Sequence, residues 1–333
     1  MTGAWKAVHR LRARWWLSHA RRLPAPTVSV GNLHWGGTGK TPLVAAIARR
    51  FLEDGRRVAI LSRGYGRRTR GTRIVGRGRG PEIGPAAAGD EPFLLARELP
   101  AAYVVVGESR LEAGRRALEL TPPPDLFVLD DGFSHLRLAR DADLLALPVG
   151  DPWGGDRLPP KGRLREPLES SRRAHGVLVT GLEATAERAD AIARELARRG
   201  FTGRGFAAPT HGGEPCDPDG VPLVPAGPVL LVTGIARPER VRQAAEAQGL
   251  TVAEHLAFPD HHDYPPASLA RIRARIEASG AVAVLTTAKD VAKLQGRVTA
   301  PLAVLPVEAR IDPPFWPWLE GLLARAFHRD AAP

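Results

Sequence analysis

The sequence predicts an α/β protein in which helices cover both faces of a parallel sheet, accompanied by a second, smaller α/β domain. Short apolar runs alternate with helical stretches along the chain, a pattern typical of parallel strands joined by helical crossovers. The length of 333 residues is sufficient for two domains of ordinary size. Hydrophobic residues make up 44% and charged residues 25%, which indicates a globular chain and excludes a disordered one.

The candidate strands fall into two series separated by a segment rich in proline and glycine. The first series comprises residues 27–30, 58–61, 102–106, 126–129 and 144–147. The second comprises residues 177–180, 229–233, 251–258, 282–286 and 302–307. The intervening segment, residues 148–168, predicts a linker between a first domain of residues 1–150 and a second of residues 151–333. A final helix over residues 315–327 is expected to pack on either domain, including back on the first.

A basic amphipathic helix is predicted at the N-terminus. Val8, Leu11 and Trp15 share one stripe, and Trp5 and Trp16 flank it. The polar side carries six basic residues: Lys6, Arg10, Arg12, Arg14, Arg21 and Arg22. Tryptophan and arginine on one short helix favour a membrane interface, and a surface helix docked on the domain is the alternative.

The charge distribution narrows the class of partner. The net charge is +11, no acidic residue precedes Glu53, and nine arginines with no acid lie between Asp54 and Glu82. Such a field favours nucleic acid, an anionic membrane surface or a phosphorylated substrate. A single cysteine, Cys216, excludes an intramolecular disulfide and fits a reducing cytoplasm. No apolar run approaches the ~18 residues of a membrane span, and no signal peptide is apparent.

A glycine-rich loop between the first strand and the next helix predicts a phosphate site. Its residues are Gly36, Gly37, Thr38, Gly39, Lys40 and Thr41. Glycines let successive N–H groups face one anion at a helix N-terminus, Lys40 would reach the β- and γ-phosphates, and Thr41 would ligate Mg²⁺. Lysine is rare here, with five in the chain, so its presence in this loop is informative. His34 stands where the strict motif has glycine, and a plain glycine-rich turn is the alternative. The loop predicts a P-loop-type sheet that binds ATP.

Two aspartates end the apolar run at residues 126–129. Ligands of open α/β sheets bind at the carboxyl ends of strands, where acids can hold the Mg²⁺ of a nucleotide. Asp130 and Asp131 are therefore predicted metal ligands together with Thr41.

Three further segments carry candidate catalytic groups. Asp90 opens a helical stretch, where an ordinary helix start is the competing interpretation. His261 and His262 lie among acids in one loop, which favours a histidine beside a proton-accepting carboxylate over a zinc site. Arg165 lies in the predicted linker and is a candidate for binding phosphates.

Taken in chain order, these motifs resemble those of one family, the tetraacyldisaccharide 4′-kinases of lipid A biosynthesis. The matching segments are Ser29-Val30-Gly31-Asn32-Leu33 with the glycine loop through Pro42, Ser62-Arg63-Gly64-Tyr65-Gly66, Gly89-Asp90-Glu91-Pro92, Asp130-Asp131-Gly132-Phe133 with His135, Leu164-Arg165-Glu166-Pro167, Thr233-Gly234-Ile235, Phe258-Pro259-Asp260-His261-His262 and Lys289-Asp290. The resemblance covers nearly the whole chain. Departures include Ser134, where the family usually has glutamine, and Ala288, where it usually has glutamate.

The resemblance implies an ATP- and Mg²⁺-dependent kinase that phosphorylates the 4′-hydroxyl of an acylated glucosamine disaccharide 1-phosphate lipid. It implies that Asp90 accepts the hydroxyl proton, supported by His261 or His262, and that Arg165 steadies transition-state charge. His135 and Glu166 would line the site. The expected location is cytoplasmic and peripheral on the anionic surface of the inner membrane, with no nucleic-acid partner. The alternatives are a P-loop ATPase associated with nucleic acid and a kinase of a small soluble substrate.

Overall fold

The computed structural model describes residues 3–327, with side chains described from Leu11 onward. The helices are α1 (Gly3–Ser18), α2 (Lys40–Glu53), α3 (Pro85–Ala88), α4 (Asp90–Glu98), α5 (Arg110–Leu118), α6 (Ala186–Ala197), α7 (Pro238–Ala247), α8 (Pro266–Ser279), α9 (Val291–Leu294) and α10 (Phe315–Phe327). The strands are β1 (Thr27–Gly31), β2 (Val58–Ser62), β3 (Arg73–Arg77), β4 (Tyr103–Val106), β5 (Leu126–Asp130), β6 (Ala142–Pro148), β7 (Gly176–Thr180), β8 (Arg204–Ala208), β9 (Thr210–Gly212), β10 (Val229–Thr233), β11 (Val252–Ala257), β12 (Ala283–Thr287), β13 (Leu302–Leu305) and β14 (Val307–Ala309).

A large sheet has the strand order β3-β4-β2-β5-β1-β6-β7-β8. Its strand pairs are parallel except for the edge pair β3 and β4. The central strands β1, β2 and β5 are buried along their whole length, as expected for a sheet covered on both faces. Because β1 and β5 are neighbours, the glycine loop after β1 and the aspartates at the end of β5 emerge at the same edge. The predicted fold class is confirmed.

Helices α2, α4 and α10 cover one face of this sheet, and their apolar residues form one core with the inward side chains of β1 and β5. Helix α5 covers the opposite face beside β2 and β4, with Leu23 packed against it. Helix α6 packs over β7 and β8 in a third cluster. Helices packed on both faces of the sheet hold its strands, and with them the carboxyl edge, in place.

The chain forms two compact units, one of Met1–Thr210 with Ala309–Pro333 and the other of His211–Glu308. The division therefore lies near residue 210 and not in the predicted linker, residues 148–168. Strands β7 and β8 pair successively onto β6, so the proline- and glycine-rich segment is a long connection between neighbouring strands of one sheet. Helix α10 packs on the first unit through Phe315, Leu319 and Leu323.

The second unit contains a parallel sheet of order β11-β10-β12-β13. Its apolar clusters include residues of α7 on one side and of α8 on the other. Strands β9 and β14 form a separate two-stranded sheet. Among residues 3–327, no helix combines the length and hydropathy required to cross a membrane.

Candidate active site

The glycine loop has the conformation that its sequence suggests. Gly36 has φ 94° and Gly39 has φ 79°, values in the left-handed region that favour glycine, and α2 begins directly afterwards at Lys40. Asn32 Nδ2 donates a hydrogen bond of 2.8 Å to Thr38 Oγ1, and both residues are buried. Gly36 and Gly37 are exposed and carry no side chain, so the backbone is open in that part of the loop. The loop therefore presents an open backbone at a helix N-terminus, the arrangement that binds phosphate.

Two of the predicted cations converge on Asp131. Lys40 Nζ lies 3.4 Å from Asp131 Oδ1, and Arg165 Nη1 donates a hydrogen bond of 2.7 Å to Asp131 Oδ2. Burial disfavours the charged carboxylate, but the nearby charges of Lys40 and Arg165 outweigh burial and lower the pKa of Asp131. The structure thus brings together residues from three separate sequence motifs at one point of the first unit.

Asp130 lies in a different electrostatic environment from its neighbour. Its side chain is buried at the end of β5, and Ser62 Oγ donates a hydrogen bond of 2.8 Å to its Oδ2. Burial, with the charges of Glu91 and Asp131, raises the pKa of Asp130 to about 7, against the opposing effects of Lys40 and Ser62. A cation bound at this carboxylate would favour its ionised form.

The oxygen ligands near Asp130 fit Mg²⁺. Asp130 Oδ1 is buried and has no hydrogen-bond partner among the described residues. Within residues 3–327, no group of three or more His, Cys, Asp or Glu side chains forms a metal site by itself. Mg²⁺ in nucleotide sites commonly takes one or two carboxylates and completes its shell with phosphates and water. Asp130 and Asp131, with the Thr41 hydroxyl in the first turn of α2, supply hard oxygen donors of the required kind.

Asp90 is the first residue of α4, which begins after Gly89 at φ 92°. A Cβ atom on Gly89 would lie 3.0 Å from the Gly64 Cα atom, so the turn after β2 packs directly against the start of α4. The charge of the next residue, Glu91, contributes to the raised pKa of Asp130. The helix start predicted for Asp90 therefore lies beside the edge of the sheet that carries Asp130.

Sequence reasoning assigned no role to Arg110, which begins α5 and is buried. Its Nη2 donates a hydrogen bond of 3.3 Å to the Asp130 carbonyl, and burial lowers its pKa. The Arg110 backbone N–H donates a hydrogen bond of 3.4 Å to His135 Nε2. Burial, followed by the charges of Arg110 and Arg140, lowers the pKa of His135 to about 4. Arg110 follows β4 at the carboxyl edge, a position that marks it in retrospect, but the abundance of arginine in this chain obscured it.

Glu166, implied by the resemblance to line the site, is buried between two donors. Ser134 Oγ donates a hydrogen bond of 2.6 Å to its Oε1, and Arg173 Nη2 donates one of 2.7 Å to its Oε2. Ser134, which departs from the family pattern, thus contacts Glu166. Glu166 is held in a single orientation next to Arg165 in the chain.

In the second unit, His261 and His262 have different surroundings. His261 Nε2 lies 3.4 Å from Lys289 Nζ and 3.8 Å from Asp260 Oδ2. His262 Nε2 lies 2.8 Å from Ser268 Oγ, and its ring stacks on Phe258 with centroids 4.7 Å apart. His261 therefore belongs to a charged cluster, whereas His262 packs among aromatic and hydroxyl groups.

Comparisons of sequence and of fold with known proteins point to the same family. The family model LpxK, tetraacyldisaccharide-1-P 4′-kinase, matches residues 1–324. The tetraacyldisaccharide 4′-kinase of Anaeromyxobacter sp. (strain K) is 40% identical over 300 residues, covering 88% of this chain and 79% of that protein. The corresponding protein of Geobacter sulfurreducens is 39% identical over 320 residues, covering 89% and 86%.

A solved structure extends the agreement to the fold. The crystal structure of LpxK from Aquifex aeolicus in complex with ATP superposes with a TM-score of 0.75 at 32% identity, covering 97% of this chain and 96% of that one. These matches confirm the family resemblance seen in the motifs. The chain belongs to the tetraacyldisaccharide-1-P 4′-kinase family.

Proposed function

We propose that the residues around Asp131 transfer the γ-phosphoryl group of ATP to the 4′-hydroxyl of tetraacyldisaccharide 1-phosphate in lipid A biosynthesis. The observation that carries the proposal is the meeting of Lys40 and Arg165 on Asp131, beside Asp130 and at the end of the glycine loop. Family membership favours this reaction over a nucleic-acid ATPase and over a kinase of a small soluble substrate. The direct test is mass spectrometry of the lipid acceptor after incubation with ATP and Mg²⁺. An acceptor of unchanged mass would contradict the proposal.

Each residue has a defined part in this reaction. The amides of Gly36 to Gly39 and the Lys40 ammonium bind the triphosphate, and Thr41, Asp130 and Asp131 hold Mg²⁺. Bound Mg²⁺ supplies charge neutralisation for the phosphates. Asp131 also orients the two cations, because Lys40 and Arg165 already contact its carboxylate.

The transfer is a displacement at the γ-phosphorus. The acceptor hydroxyl oxygen forms a bond to the γ-phosphorus, the bond to the β,γ-bridging oxygen breaks, and ADP leaves with that electron pair. Asp90 accepts the proton of the hydroxyl. Lys40 and Arg165 stabilise the negative charge that spreads over the phosphoryl oxygens.

Of the two adjacent histidines, we assign participation in the reaction to His261. An ammonium group has only donors, so Lys289 Nζ donates to His261 Nε2 in the 3.4 Å contact between them. The ring of His262 instead stacks on Phe258 and lies within hydrogen-bond distance of Ser268 Oγ, and these contacts stabilise the loop. His261 has φ 63°, a conformation that asparagine tolerates well, so asparagine is the appropriate replacement.

His261→Asn is expected to lower kcat by about 10²-fold with little change in melting temperature, because it removes a proton-handling group. His262→Asn is expected to lower the melting temperature by several degrees and to leave kcat within about threefold, because it removes a stacking contact. Steady-state kinetics and thermal unfolding of both variants make the comparison. A larger kcat loss for His262→Asn would reverse the assignment.

Helix α1 supports a proposed peripheral contact with the anionic surface of the inner membrane. Leu11 is 65% exposed and Trp15 is 53% exposed, with Arg12 and Arg14 exposed beside them. The other face is docked on the first unit, since Ala13 is buried and Arg137 lies 4.0 Å over the Trp16 ring. The side chains of Trp5, Lys6, Val8 and Arg10 lie outside the described residues. The described part of the helix thus combines a docked face with an exposed apolar and basic face, which is typical of interfacial helices.

The double variant Leu11→Ser/Trp15→Ser is expected to bind anionic vesicles at least tenfold less tightly. Burying these two side chains in the membrane interface contributes roughly several kcal/mol to the free energy of binding. A matched control is Val221→Ser/Val224→Ser, since these residues of the second unit are 60% and 61% exposed. Co-sedimentation at low and high salt separates the apolar contribution, which salt leaves intact, from that of the arginines. Equal sedimentation of both double variants and the unmodified protein would remove α1 as the contact.

A further inference from the structure

Thr180, the last residue of β7, lies against the glycine loop. Its side chain is fully buried, and its hydroxyl donates a hydrogen bond of 2.7 Å to the Thr38 carbonyl. A Cβ atom on Gly39 would lie 3.3 Å from Thr180 Cβ and 3.4 Å from both Cγ2 and Oγ1. The Thr180 side chain therefore covers the peptide that joins Thr38 to Gly39.

This contact fixes the orientation of one peptide group. A trans peptide is planar, and its C=O and N–H point in opposite directions. Since the Thr38 carbonyl is held toward Thr180, the Gly39 N–H must point away from β7. Gly39 immediately precedes α2, so this N–H is one of the donors at the helix N-terminus that a phosphate would meet.

A second hydrogen bond holds Thr38 through its own side chain. Asn32 Nδ2 donates a hydrogen bond of 2.8 Å to Thr38 Oγ1, so Thr38 is fixed through both its hydroxyl and its carbonyl. The left-handed backbone of Gly39 gives the peptide no steric preference of its own for this orientation, because glycine populates several regions equally well. The constraint therefore has to come from neighbouring residues.

We infer that Thr180 is a positioning residue for nucleotide binding, whose hydroxyl holds the Thr38–Gly39 peptide with its N–H directed toward the phosphates of ATP. The inference rests on the phosphate role proposed for the glycine loop. Thr180 reaches the loop because β7 lies two strands from β1 in the order β1-β6-β7. Loop preorganisation of this kind lowers the free-energy cost of ordering donors when the ligand binds.

Thr180→Val tests the hydroxyl with almost no change in shape. It leaves the buried Thr38 carbonyl without this donor and frees the peptide to rotate, so KM and Kd for ATP are expected to rise about tenfold. The KM for the lipid acceptor should stay unchanged. Thr180→Ser keeps the hydroxyl and is expected to restore ATP affinity to within about twofold of the unmodified protein.

Thr27→Val is the matched control. Thr27 is equally buried, its hydroxyl donates a hydrogen bond of 3.3 Å to the Ala25 carbonyl, and it begins β1 at the opposite edge of the sheet. This variant should lose some thermal stability and keep its ATP affinity. Should Thr180→Val fail to fold, Thr180→Ala provides the same loss of the hydroxyl with a smaller side chain.

The possible results distinguish a failure of the role inferred for Thr180 from a failure of the proposed function. Unchanged ATP affinity in folded Thr180→Val, alongside strong loss in Lys40→Ala, would overturn the role of Thr180 alone. Unchanged ATP handling in both variants would overturn the phosphate role of the loop itself. Equal losses in Thr180→Val and Thr180→Ser would assign the effect to packing and overturn the hydrogen-bond argument.

Discussion

Lys40→Ala is expected to reduce kcat by about 10³-fold, because it removes a preorganised cation where phosphoryl charge develops. The Lys40 side chain is only 11% exposed, so its charge acts in a partly desolvated environment where electrostatic effects are strong. Truncating the Lys40 side chain should leave the fold intact. Asp131 keeps its hydrogen bond from Arg165 and is one-third exposed, so losing the Lys40 contact leaves no buried unpaired charge.

Lys293→Ala is a suitable control, since Lys293 is a half-buried lysine of α9 in the second unit with no proposed contact to substrate. Steady-state kinetics with ATP as the varied substrate, combined with thermal unfolding, distinguishes loss of chemistry from loss of structure. A folded Lys40→Ala protein with near-normal kcat and KM would remove Lys40 from the site and leave the glycine loop as an ordinary turn.

The parts of the site that sequence predicted are those encoded by neighbouring residues. Glycines followed by Lys40 specify a loop and a helix start together, and an apolar run that ends in Asp130 specifies both a strand and its tip. The meeting of these two segments also follows from pattern, because the carboxyl ends of parallel strands share one edge.

The parts that sequence missed depend on strand order and on packing between distant segments. The sequence predicts the strand that ends at Thr180 as part of the second domain, since an apolar run does not say which sheet a strand joins. Ser62 lies in a family motif, yet only the adjacency of β2 and β5 shows that its hydroxyl reaches Asp130. The same limitation explains why proline and glycine at residues 148–168 suggested a domain boundary. Those residues mark irregular backbone, which occurs inside domains as well as between them.

Asp90→Asn is expected to lower kcat by about 10²- to 10⁴-fold while KM for ATP changes little, because the amide cannot accept the hydroxyl proton. The competing interpretation is purely structural, since Asp90 occupies the first turn of α4, where a negative charge favours the helix N-terminus. That role is worth only about 0.3–1 kcal/mol of stability, so losing it would lower the melting temperature by a few degrees and would not slow chemistry.

Glu187→Gln separates the two roles, because Glu187 also lies in the first turn of a helix, α6, and carries no proposed part in the reaction. If Asp90 acts only on its helix, both variants should show similar small shifts in melting temperature and unchanged kcat. If Asp90 is the proton acceptor, only Asp90→Asn should lose activity, and the loss should appear in kcat at saturating ATP. The close approach of Gly64 and Gly89 favours the catalytic role. Two backbones packed this closely fix the start of α4 beside Asp130, and a helix cap alone would not require glycine at both positions.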